Sequence, residues 1–92
     1  MPFTQQEELV EVLLAEDEEE GHSLLVFNDE VNTFDHVIET LIKVCKHDRV
    51  QAEQCTMIIH YKGKCEVKKG SLDFLKPMKE SILDKGINAA IV

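Results

Sequence analysis

Lysine and arginine are missing from the first twenty residues, which instead carry eight acids: Glu7, Glu8, Glu11, Glu16, Asp17, Glu18, Glu19 and Glu20. All ten bases lie from Lys43 onward, and the ten acids found from Gly21 onward balance them, so the net charge of -8 resides in the amino-terminal segment. A chain with no basic stripe cannot neutralise a phosphate backbone, and nucleic acid is excluded as a partner. No apolar run approaches the roughly 20 residues that span a bilayer, and no signal-peptide pattern opens the chain. A soluble, cytoplasmic protein without membrane contact is expected. Cysteine is scarce and odd in number: Cys45, Cys55 and Cys65 have no paired spacing, which argues for reduced thiols rather than a disulfide framework. A nucleophile motif, a phosphate loop and a cofactor fingerprint are also lacking. Neither an enzyme nor a cofactor is implied, and Cys55, His60 and Cys65 do not have an established zinc spacing.

What remains is 92 residues, enough for one domain with a modest core and room for one small site. Residues 1–20 read as a flexible acidic extension. Within them "QQEELVEVLLAEDEEE" sets Leu9, Val12 and Leu13 on one helical face before a block of like charges that disfavours packing. The folded domain is expected over residues 21–92.

Its elements follow from periodicity. His22 to Phe27 read as a strand, apolar over four successive residues, with both faces expected to be covered. Phe34, Val37, Ile38, Leu41, Ile42 and Cys45 recur at the spacing of one buried helical face, capped by Asn32 or Thr33. "KHDRVQ" interrupts that pattern, and Asp48 with Gln51 resembles a capping box for a second helix reaching about His60 and burying Ala52, Cys55 and Ile59. After Gly63, "KCEVK" reads as a strand. A third helix begins near Asp73, placed there so that Pro77 stays close to its first turn, and ends at Gly86. "INAAIV" closes the chain as a strand. The class is α+β: three helices on a three-stranded antiparallel sheet, in the order β-α-α-β-α-β.

The stretch "LLVFNDEVNTFDHV" poses the functional question, because an apolar strand runs into an acidic corner just before a helix opening on Phe34. Asn-Asp is ordinary turn chemistry. Yet Asn28, Asp29 and His60, at the end of the second helix, are all acceptors when His60 is neutral, and three converging acceptors suit one ammonium group. Phe34 and Val37 on one helix, Thr56 and Ile59 on the next, would supply apolar walls, each pair three residues apart on one face.

"LLVFNDEVNTFDHVIETLIKV" followed by "AEQCTMIIHYKGK" resembles the ClpS family of ATP-dependent Clp protease adaptors: an apolar strand into Asn-Asp-acidic, a helix, then a helix ending in His-x-x-Gly. The strong match covers Ser23 to Lys64. The resemblance implies an adaptor that recognises N-degron proteins by their first residue and delivers them to the N-terminal domain of a Clp AAA+ unfoldase. It implies that Asn28, Asp29 and His60 hold the substrate's free α-amino group. Phe34, Val37 and Ile59 would line a pocket for a large apolar first side chain, with Asn32 at its entrance. Two smaller residues depart from the family pattern, Thr56 where Met is usual and Ala89 where a Leu from the last strand is usual. Phe34 stands where Met is common. The alternative is a structural interaction domain with no amine site.

Overall fold

Residues 21–92, the part of the chain described by the computed structural model, form β1 (His22–Phe27), α1 (Phe34–Cys45), α2 (Arg49–Lys62), β2 (Lys64–Gly70), α3 (Leu72–Asp84) and β3 (Ala89–Ile91). The expected order of elements is present. The acidic extension, residues 1–20, lies outside the described residues.

β1 occupies the middle of the sheet, antiparallel to β2 on one side and to β3 on the other. Alternation along it sends Leu24 and Val26 into the core and leaves Leu25 and Phe27 half-buried, so only one face is fully covered, not both. The β1–β2 register slips once, because Glu66 lies opposite Leu25 and Lys68 opposite Leu24, leaving Val67 as the extra residue of a bulge. The slip turns Lys68 to the helix side, where its Nζ donates to the Cys45 carbonyl at 2.9 Å. A cation thereby closes the carboxyl end of α1, where the helix dipole favours it. His47 braces the same place from the α1–α2 link. It is buried and holds the Val67 carbonyl with Nε2 at 2.7 Å, so that nitrogen carries the hydrogen.

Leu24, Leu41, Leu75 and Ile82 are fully buried and form the centre of the core, which α1, α2 and α3 close over the sheet. Cys45 and Cys65 are free thiols buried in it and Cys55 is a partly buried one packed against it, and burial pushes Cys45 up to about 11 and Cys65 up to about 12. Both stay protonated near neutrality and act as small apolar fillers.

The helix boundaries have local causes. Thr33, not Asn32, caps α1, its Oγ1 accepting the His36 N–H at 3.1 Å. Asp48 caps α2 by accepting from the Gln51 N–H at 2.8 Å. Ser71 caps α3 in the same way through Phe74. That cap starts α3 at Leu72 and leaves Pro77 beyond the first turn, deeper than sequence reasoning put it. The missing N–H deprives only the Asp73 carbonyl, and because both residues are exposed, water can replace the bond.

Candidate functional site

The sheet, α1 and α2 meet at one end of the molecule, and a backbone bond holds them there. The Asn28 N–H, leaving β1, donates to the Gly63 carbonyl at 2.9 Å, while the Gly63 N–H closes α2 on the Ile59 carbonyl at 2.9 Å. Gly63 can do both because it takes the left-handed conformation, φ 92°, that other residues adopt only at a cost. The His-x-x-Gly spacing thus has a mechanical meaning: the residue three before the cap lies in the last turn, beside the end of β1.

The corner from Asn28 to Thr33 is organised around one carboxylate. Asp29 Oδ1 accepts the N–H groups of Val31 and Asn32, both at 2.8 Å, and Oδ2 accepts from Asn32 Nδ2 at 2.7 Å. These donors, the Asn32 N–H first, then the Val31 N–H and the Asn32 amide, hold the Asp29 carboxyl below the usual carboxylate range. Asp29 is therefore ionised at neutral pH. Asn32 Nδ2 also donates to the Gly86 carbonyl at 2.9 Å, and His36 Nε2 to the Lys85 carbonyl at 2.9 Å, so the α3–β3 link clips the corner from the other side. The side-chain amide nitrogen of Asn32 is thus fully engaged. At the cavity, only its Oδ1 is left to meet a ligand.

Between the corner and the two helices lies a cavity of about 400 Å³. Asn28, Asp29 and Asn32 line it from the corner, Phe34 and Val37 from α1, and Thr56, Ile59 and His60 from α2. Sequence reasoning had separated these residues over three elements; the fold brings them together. Glu30 and Thr33, neither of them among the expected site residues, complete the rim. Phe34, on the buried face by its spacing and in the pocket by the resemblance, is 42% exposed, because it is the first residue of α1 and projects past the core into the cavity mouth. Thr56 is buried, with its hydroxyl donating to the Ala52 carbonyl at 2.8 Å, so its proton is unavailable to a ligand.

Ala89 does not line the cavity. It pairs with Val26 in mid-sheet, whereas the residue level with Asn28 is Ile87, since the Phe27 N–H bonds the Asn88 carbonyl. Ile87 is buried and lines a small adjoining cavity of about 20 Å³ together with Val37 and Ile59. Two residues along a strand are about 6.6 Å, enough to move a side chain out of reach. An apolar residue just before the last strand was the available signal.

The unused hydrogen-bonding capacity at the cavity is specific. An ionised carboxylate has about four acceptor sites. Asp29 has three filled, leaving one on Oδ2. The Asn28 backbone is tied down while its side chain faces the cavity. His36 and His47 each commit a ring nitrogen to a backbone carbonyl; His60, among the described residues, commits neither and meets the Phe34 ring edge-on at 5.1 Å. Among the described residues, no group of three His, Cys, Asp or Glu could hold a metal ion, and no helix is long and apolar enough to cross a membrane.

The structure of Agrobacterium tumefaciens ClpS2 bound to L-phenylalaninamide is similar in fold, with a TM-score of 0.76 at 15% sequence identity, covering 82% of this chain and 96% of that one. No curated protein sequence matches the chain. A family model for the ATP-dependent Clp protease adaptor protein ClpS matches residues 17–89, past Lys64, where the strong sequence resemblance ends. That match takes in the corner, both helices that line the cavity, and strands β1 and β2, and the chain therefore belongs to the ClpS family of Clp protease adaptors.

Proposed function

We propose that the cavity receives the first residue of an N-degron protein, its α-ammonium held by Asn28, Asp29 and His60 and its side chain placed among Phe34, Val37, Thr56 and Ile59. One observation carries this reading: among the described residues, one acceptor site on Asp29 Oδ2, the Asn28 side chain and the His60 ring are all uncommitted at the mouth of an apolar cavity. An ammonium has three N–H donors, and three acceptors are available. A cation leaving water needs a full set of partners, so a blocked or acetylated amine, short of donors and without charge, fails to bind. The apolar walls contribute on the order of 1.5 to 3 kcal/mol for a Leu- or Phe-sized side chain. Large apolar first residues are favoured accordingly. In this reading Asn32 does not grip the substrate; its amide orients Asp29.

The adaptor role follows from the family. A Clp AAA+ unfoldase is the receiving partner through its N-terminal domain, and the acidic extension, residues 1–20, is the segment the unfoldase engages during delivery. Calorimetry with Phe-first and Leu-first peptides, free and acetylated, tests the site. Binding that survives acetylation overturns it. A degradation assay with and without residues 1–20 tests delivery, and equal rates would reduce the extension to a solubilising role.

A further inference from the structure

We propose, resting on the amine-site reading, that Tyr61 is a positioning residue for His60. Successive residues of an α-helix project about 100° apart and do not ordinarily face each other. Nevertheless, the rings of His60 and Tyr61 lean together, their centroids 5.1 Å apart and their planes at 73°. Phe34, which lines the cavity, meets the same imidazole at 5.1 Å and 69°. Both contacts are edge-to-face at a favourable separation. Tyr61 itself does not line the cavity and is 73% exposed, so it contributes almost nothing to the core.

The need for such a contact comes from the hydrogen bond that His60 lacks among the described residues. A ring nitrogen accepts well only at about 2.7 to 3.2 Å and in line with the donor. Rotation about the last torsion of a histidine is broad, so an imidazole without a hydrogen bond does not hold one orientation on its own. His36 and His47 are oriented by carbonyls; His60 has aromatic edges in their place. Phe34 restrains the ring from the cavity and Tyr61 restrains it from outside. Removing Tyr61 frees the ring to turn, and the ammonium then meets a correctly aimed nitrogen less often.

The test is a double-mutant cycle read by peptide affinity. Tyr61→Ser should weaken a free-amine Phe-first peptide about 2- to 10-fold, the worth of one edge-to-face pair, with the melting temperature unchanged. Tyr61→Phe keeps the ring and should bind within twofold of wild type. His60→Gln retains an acceptor but offers Tyr61 no ring, and in that background Tyr61→Ser should change nothing further. An equal loss in both backgrounds would assign Tyr61 a direct substrate contact and overturn the proposal, as would wild-type affinity for Tyr61→Ser or a loss in Tyr61→Phe. Should His60→Ala bind as wild type does, the amine-site reading fails. Should His60→Ala lose affinity while Tyr61→Ser does not, only the positioning role fails.

Discussion

Asp29→Asn changes one oxygen to an amide nitrogen at the centre of the corner, and its consequences separate into two measurable parts. The variant's Oδ1 can still accept the Val31 and Asn32 N–H groups. At the other position, the new NH2 would face Asn32 Nδ2, which in the native protein donates across 2.7 Å, so two donors confront each other. Losing that bond costs about 1 kcal/mol of stability, or roughly 4 to 8 °C in the melting temperature of a domain this small. The ligand side loses more. The one acceptor site left on Oδ2 becomes a donor pointed at an ammonium, and the negative charge disappears. A hydrogen bond to a charged group is worth about 1.5 to 3 kcal/mol, which corresponds to a roughly 10- to 150-fold weaker Kd. A fully buried ion pair would cost more, but Asp29 is only half-buried. Isothermal calorimetry with a Phe-first peptide, alongside thermal melts, reads both parts. An affinity within threefold of wild type in a variant that is still folded would refute the assignment of Asp29 to the amine, whatever the melt shows.

The remaining predictions probe the pocket, the joint and the carboxylate. Thr56→Met adds bulk to a buried wall of the cavity and should weaken Ile-first peptides more than Leu-first ones, with a difference of about 1 to 3 kcal/mol read by competition binding; equal effects would mean that Phe34 and not Thr56 limits branching. Gly63→Ala forces a Cβ into a left-handed conformation and should cost about 1 to 2 kcal/mol by urea titration, with peptide affinity falling as the joint that sets His60 shifts; an unchanged urea midpoint would show that the joint is not under that constraint. The folded-state pKa of Asp29 is lowered, so its charge contributes full stability above the unfolded carboxylate value of about 3.9 and loses that contribution as pH falls through the lower folded value. The stability gap between wild type and Asp29→Asn should therefore be constant from about pH 7 to 5 and close only below about pH 4; a gap already shrinking between pH 7 and 5 would contradict the hydrogen-bond network around Asp29.

Local periodicity and capping chemistry were enough to determine the elements. Phe34 to Cys45 announces a helix by its spacing, Asp48 and Gly63 mark the ends of the next, and the apolar run to Phe27 is a strand in any context, because each of these signals acts within a few residues. The Asn-Asp corner and the His-x-x-Gly ending were legible for the same reason. Other features depended on contacts between residues distant in the chain. The central place of β1, the slip at Val67 that sends Lys68 to the end of α1, and the level of Ile87 rather than Ala89 beside the corner are all set by strand pairing, and pairing register leaves no mark on either strand alone. The family resemblance puts Asn32 at the pocket entrance; only the folded chain brings Gly86 within 2.9 Å of its amide and makes it the clip that aims Asp29. Phe34 shows the limit in one residue: its spacing assigns it to the buried face, but whether the first turn of α1 stays under the sheet or overhangs it is decided by where α2 and the corner end, and there it overhangs, leaving an aromatic ring at the mouth of the cavity.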